Sequence, residues 1–174
     1  MELYAERGYE QTTVTEIAKR AGLTERTFFR HYADKREVLF AGSALLQERM
    51  VSALDGAPPS APPIDAVAAA LQAAAAVLDE RHPQAMQRQR IITANAELQE
   101  RELVKLASLA SAMGEALRAR GISEPAASLA AEAGIAVFKV AFERWIDTTG
   151  VRGLGAFVLE GLAGLESLMA GGRP

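Results

Sequence analysis

Between Thr13 and Tyr32 the chain carries two helix starts separated by one glycine, and no other stretch of its 174 residues restricts the local fold as tightly. The segment reads Thr-Val-Thr-Glu-Ile-Ala-Lys-Arg-Ala-Gly-Leu-Thr-Glu-Arg-Thr-Phe-Phe-Arg-His-Tyr. Thr13 followed three residues later by Glu16 is a capping box, in which each side chain bonds the other's backbone N–H. Ile17 and Ala21 share a face of the helix this starts, and Ala18 is small where a crossing helix comes close. Gly22 falls where a tight turn needs positive φ, and Leu23 is expected to plug the corner. Thr24 caps a second helix with Phe28 and Tyr32 turned inward. Two helices joined by so short a glycine turn meet steeply, as a helix-turn-helix.

The outward residues of the second helix are then Glu25, Arg26, Thr27 and Arg30. In this geometry its N-terminal residues reach base edges in a major groove. Arg26 suits a bidentate bond to guanine, and Thr27 suits a thymine methyl or a phosphate. Thr13 and Lys35 stand at expected helix N-termini, where free N–H groups and the helix dipole favour an anion. The charge supports this. The chain is −3 overall, yet residues 11–36 hold Lys19, Arg20, Arg26, Arg30, Lys35 and Arg36 against only Glu16, Glu25 and Asp34. A basic block on an acidic body is what a local polyanion contact requires.

The rest of the chain reads as helix, with no sustained alternation of β-branched residues. Three short helices are followed by one expected over 35–54, ended by Asp55-Gly56-Ala57-Pro58-Pro59-Ser60-Ala61-Pro62-Pro63, whose prolines exclude a helix interior. Beyond it the pattern predicts helices over 65–80, 83–94, 96–120, 125 to about Gly150, and 153–169. Asp65 is the expected cap of the first, and Ser123 of the helix that begins with Pro125. Gly121 stops the 96–120 helix, and Gly171 to Pro174 is a frayed tail. The expected fold is all-α, with about nine helices. Domain 1–45 carries the helix-turn-helix, and domain 46–174 is a larger helical domain for ligand binding and dimerisation.

Tyr4-Ala5-Glu6-Arg7-Gly8-Tyr9-Glu10-Gln11-Thr12-Thr13-Val14, then Glu16-Ile17-Ala18, Ala21-Gly22-Leu23 and Arg30 through Leu39, resemble the N-terminal domain of TetR-family transcriptional regulators. Arg101 to Leu106 and Phe142-Glu143-Arg144-Trp145 resemble an actinobacterial subgroup related to mycofactocin-type regulators. The resemblance implies a homodimer whose first three helices bind operator DNA, whose fourth links, and whose last two pair in a four-helix bundle. It implies that Thr13, Thr24, Thr27, His31 and Lys35 meet DNA, largely its backbone. The family usually has tyrosine where this chain has Phe29, so one phenolic hydrogen bond to phosphate is missing. The family's first helix also begins about ten residues earlier, so the first helix here is expected to be truncated at Met1.

The function expected is a repressor released from a palindromic operator by a small apolar or amphiphilic effector, in the cytoplasm and on the nucleoid when bound. Met86, Arg90, Met113, Phe138, Phe142 and Trp145 are candidate effector-pocket residues, with ordinary core as the plain alternative. Small and branched residues on the last two helices, among them Ala126, Ala130, Val137, Phe157, Gly161 and Leu165, are candidates for the dimer interface. They would serve equally to pack one chain's own core. The chain has no cysteine and only His31 and His82 as histidines, so neither a disulfide nor a thiolate zinc site is expected, and no metal or cofactor. There is no phosphate-binding Gly-rich loop, no nucleophile elbow and no His-Glu-x-x-His, so no enzyme is expected. No membrane span or signal peptide is expected either. The competing reading is a helical protein-interaction or small-molecule carrier protein that ignores DNA.

Overall fold

The capping box and the glycine stop can be followed atom by atom in the computed structural model, which describes residues 1–148 and 152–171. Thr13 Oγ1 accepts the N–H of Glu16 at 3.3 Å while Glu16 Oε2 accepts the N–H of Thr13 at 2.9 Å. This starts α2, Val14–Arg20, after the short α1, Glu2–Arg7. Beyond α2, Gly22 has φ +69°, its N–H reaches Lys19 O, and the N–H of Leu23 reaches Ala18 O at 2.8 Å. That pair of bonds is the Schellman stop, and it needs the left-handed residue that glycine supplies. Thr24 Oγ1 then accepts the N–H of Thr27 and starts α3, Glu25–His31. Leu23 does not plug the corner as expected: it is 44% exposed, because the backbone bonds close the turn without its side chain.

Among the described residues there are six further α-helices, one 3-10 helix and no strand. The helix expected over 35–54 is divided. A 3-10 helix covers Arg36–Phe40, and α4 covers Ser43–Asp55. Then come α5, Pro63–Asp79, α6, His82–Thr93, and α7, Ala96–Ala119. The last two are α8, Ala126–Ile146, and α9, Leu154–Met169. Two expected caps are corrected. Pro62 stands at the N-cap of α5 with Pro63 in its first turn, which puts Asp65 inside the helix. Pro125 is the N-cap of α8. There it is Glu124, with its longer side chain, that accepts from the Ser128 N–H and hydroxyl. Gly121 closes α7 with the same pair of bonds as Gly22, from Gly121 N–H to Arg118 O and Ile122 N–H to Leu117 O. The expected end of α8 near Gly150 and most of the tail lie outside the described residues; α8 itself ends at Ile146.

The chain divides into two units. One comprises Met1–Ala44 with Pro83–Leu103; the other comprises Leu45–His82 with Val104–Pro174. Residues 83–103, expected to belong to the C-terminal domain, thus fold with the N-terminal helices. The cause is apolar: Tyr4, Tyr9, Leu39 and Phe40 bury against Ile91 and Ile92 of α6 and Leu98 of α7. Polar bonds reinforce this. Arg88 Nε donates to Leu39 O at 2.8 Å with its guanidinium 4.9 Å over the Phe40 ring, Arg36 pairs with Glu97, and Arg101 pairs with Glu37.

In the second unit α5, α8 and α9 pack against one another with glycine at the points of contact. A Cβ on Gly134 would come 2.3 Å from Val67 Cγ1, and one on Gly161 would come 2.9 Å from Val137 Cγ1. Gln72 donates to Gly155 O, and Asp79 accepts the N–H of Leu154 at the start of α9. Arg120, just past α7, donates to the carbonyls of Leu54, Asp55, Ala57 and Pro58 and so fixes the end of α4.

Candidate nucleic-acid interface

Helix α3 is seven residues long, and it is oriented by a single buried side chain. Phe28 is 2% exposed, with Tyr32 at 5.3 Å and Phe29 edge-on at 5.5 Å between ring centroids. With Phe28 inward, Glu25, Arg26, Phe29, Arg30 and His31 are exposed and Thr27 is half-buried. Among the described residues Arg26 has no polar partner, and Arg30 only lies 3.5 Å from the His31 ring. Two guanidiniums one helical turn apart flank an exposed aromatic ring. A solvated surface gains nothing from Phe29, which is 54% exposed, whereas a base or sugar edge would cover it.

The remaining expected residues frame this helix. Thr24 and Thr27 bond each other through their hydroxyls at 3.0 Å. Glu25 accepts from Thr15 of α2 at 2.6 Å, which ties the two helices across the turn. Thr13 is exposed at the start of α2. Electrostatics support the caps. The Thr13 backbone N–H, then its hydroxyl, hold the Glu16 carboxyl below the ordinary range. The Arg36 guanidinium does the same for Asp34, which also accepts the Arg36 backbone N–H. Burial of Tyr9, with the nearby Glu97 charge, pushes its phenol up to about 12.

Lys35 departs from expectation. It precedes a 3-10 helix rather than the start of an α-helix, and its ammonium is already engaged. Nζ donates to the carbonyls of Tyr9 at 2.9 Å, Glu10 at 3.2 Å and Thr12 at 3.1 Å. Sequence spacing could not reveal this, because the acceptors are backbone atoms more than twenty positions away.

The six candidate pocket residues are divided between the two units. Met86 and Arg90 lie on α6, in the N-terminal unit; Met113, Phe138, Phe142 and Trp145 belong to the other. Within that second unit Phe138 stacks on Phe142, Phe142 tilts against Trp145, and Trp145 meets the His82 ring edge-on at 4.4 Å. Met113 and Trp145 are fully buried. Arg90 is exposed.

The dimer candidates also divide. Val137 and Phe157 are buried in their own chain, and Gly161 gives its missing side chain's room to Val137. Ala126 is exposed, and Ala130 and Leu165 are half-buried. Leu129, Val140 and Leu159, not among the expected interface residues, are all more than half exposed. Leu129, Ala136 and Val140 are exposed and recur at helical spacing along α8, which was the available signal.

Residues 1–41 match the family model of bacterial regulatory proteins of the tetR family, and residues 61–170 match that of the MftR C-terminal domain. The HTH-type transcriptional regulator TcmR of Streptomyces glaucescens is 38% identical over 73 residues, which span 42% of this chain and 32% of TcmR. The chain therefore matches about a third of that relative's length. FadR of Thermus thermophilus, a TetR-family transcriptional repressor solved with lauroyl-CoA, is similar in fold. It has a TM-score of 0.57 and 23% identity over 97% of this chain and 89% of that one. A TetR-family regulator from Mesorhizobium loti gives 0.56 and 18% over 97% and 90%. PfmR, a TetR-family transcriptional regulator also from Thermus thermophilus, gives 0.51 and 23% over 99% and 95%.

Proposed function

The chain belongs to the TetR family of bacterial regulatory proteins, and from that premise we propose that two copies of it bind a palindromic operator and leave it when a small effector occupies the C-terminal unit. The observation that carries the reading is the outer face of α3, where Arg26, Phe29 and Arg30 are exposed while Phe28 is the buried residue of the helix. Arg26 reads guanine, Phe29 covers sugar or a thymine methyl, and Arg30, Thr13, Thr24 and Thr27 meet phosphates. Glu25 and His31 border that surface.

A palindrome requires a two-fold protein. The exposed apolar row Leu129, Ala136 and Val140 on α8, together with Leu159 on α9, supports a dimer surface there, continued by Ala126, Ala130 and Leu165. The effector sits among apolar groups of the second unit, with Met113, Phe138, Phe142 and Trp145 as its nearest surroundings, and is itself apolar or amphiphilic. Helix α4 runs from Ser43 into that unit, and Arg120 holds its far end. An effector that favours one arrangement of α4 therefore shifts operator affinity, and by linkage the operator lowers effector affinity by the same factor.

Duplexes selected from a random pool by the purified protein test the reading. The expected product is a palindrome bound by two chains, with affinity that falls on adding a fatty acyl thioester. Failure to enrich any sequence would favour a carrier or interaction protein. Among the described residues no helix is long and apolar enough to cross a membrane.

A further inference from the structure

We infer that Lys35 governs DNA binding as a positioning residue, by fixing the loop before α2, and is not itself a phosphate ligand. The inference rests on the reading that this unit binds DNA. An ammonium has three protons and no acceptor. Lys35 directs all three at backbone carbonyls, those of Tyr9, Glu10 and Thr12, at 2.9 to 3.2 Å. Its Nζ also stands 4.3 Å from the centroid of the Tyr9 ring, on whose face a cation is favoured. The tie is returned, because the Tyr4 hydroxyl donates to Lys35 O at 2.5 Å.

The loop so held ends at Thr12, which is 1% exposed and donates through Oγ1 to Gly8 O at 2.8 Å. The next residue is Thr13, the cap of α2. The Lys35 side chain thus sets where α2 begins relative to the turn and α3. To reach a phosphate it would have to abandon at least one of these carbonyls. Arg26 differs in kind: its guanidinium is exposed and has no partner among the described residues to give up.

The test uses the full chain and a duplex selected from a random pool, with binding followed by fluorescence anisotropy across a salt series. Lys35→Met keeps the stem and removes the charge; Lys35→Arg keeps the charge but puts a longer, planar guanidinium where a compact ammonium sits at the point on which these three carbonyls converge. Both variants are expected to lose about tenfold in affinity. A phosphate contact contributes about 0.9 to the salt slope, so losing one per protomer would lower it by about 1.8. For Lys35→Met the slope is instead expected to change by less than about 0.5. Amide exchange of residues 8–13 without DNA should quicken about tenfold in both variants, while the α8 amides are unchanged. Wild-type affinity for Lys35→Arg, or a slope loss near the full value with loop exchange unaltered, would overturn the inference. If the wild-type chain bound no duplex, the DNA-binding reading would fail by itself, and the exchange arm would still decide whether Lys35 holds the loop.

Discussion

The outer face of α3 and the contact between α5, α8 and α9 use their residues in opposite ways. On α3 the internal requirements are met by few atoms: one buried phenylalanine, a threonine cap and the bond from Thr15 of α2 to Glu25. That leaves Arg26, Phe29 and Arg30 exposed, Arg26 with no polar partner among the described residues and the other two touching only their own helix, at Phe28 and His31. In the three-helix contact nearly every distinctive residue is already committed. Gly134 admits Val67, Gly161 admits Val137, and Gly155 receives Gln72. The difference teaches where function can be sought. A residue whose type exceeds what the fold needs points outward to a partner; a residue the packing consumes does not.

The largest expected effect tests the second region. Trp145→Ala removes a buried indole that contacts His82 and Phe142, and should cost about 3–5 kcal/mol in urea unfolding. A loss below about 1 kcal/mol would mean that this part of the core is loosely packed. Arg26→Ala should do the reverse. Unfolding stays within about 0.5 kcal/mol of wild type, while discrimination between the operator and a sequence altered at one guanine falls by about 1–3 kcal/mol. Equal loss on specific and random DNA would remove its base-reading role. Gly134→Ala follows at about 1–3 kcal/mol of stability, since its new Cβ meets Val67 and something must shift. A neutral result would break the comparison, because the glycine would then be dispensable to packing.

The smallest effect is on pH. Asp34 and Glu16 have lowered carboxyl pKa values in the folded chain, by the Arg36 guanidinium and by the Thr13 N–H respectively. Groups depressed on folding contribute stability that is complete above their unfolded values near 4 and is lost as pH falls through the folded ones. Acid should therefore loosen the N-terminal unit below about pH 4, and Asp34→Asn should flatten that dependence. Amide exchange of α2 and α3 between neutral and acid pH measures it. Identical profiles for variant and wild type would show that Asp34 carries none of it.

Legibility followed the same division. The elements of residues 13–32 were readable because their rules are local. Thr13 needs only Glu16, Gly22 only the left-handed region, and Thr24 only the N–H of Thr27. What could not be read depended on distant partners. Lys35 looks like a free cation in sequence and is bound by three carbonyls from a loop that precedes it by more than twenty residues. Gly161 and Val137 fit either an interface or a core, since small residues let any helix approach, and only their mutual contact decides. The divided helix at 35–54 has a similar origin. Nothing in its pattern announces that Leu39 and Phe40 are drawn toward α6 while Met50 and Leu54 bury in the other unit.

The most direct measurement of the central claim compares binding of the purified chain to a selected palindromic duplex and to the same duplex with one half-site scrambled. The account predicts two chains per duplex, half-site centres about one helical turn or roughly 34–36 Å apart, and a marked loss of affinity when either half is scrambled. Equal affinity for both duplexes, or a single chain bound to the intact palindrome, would contradict it.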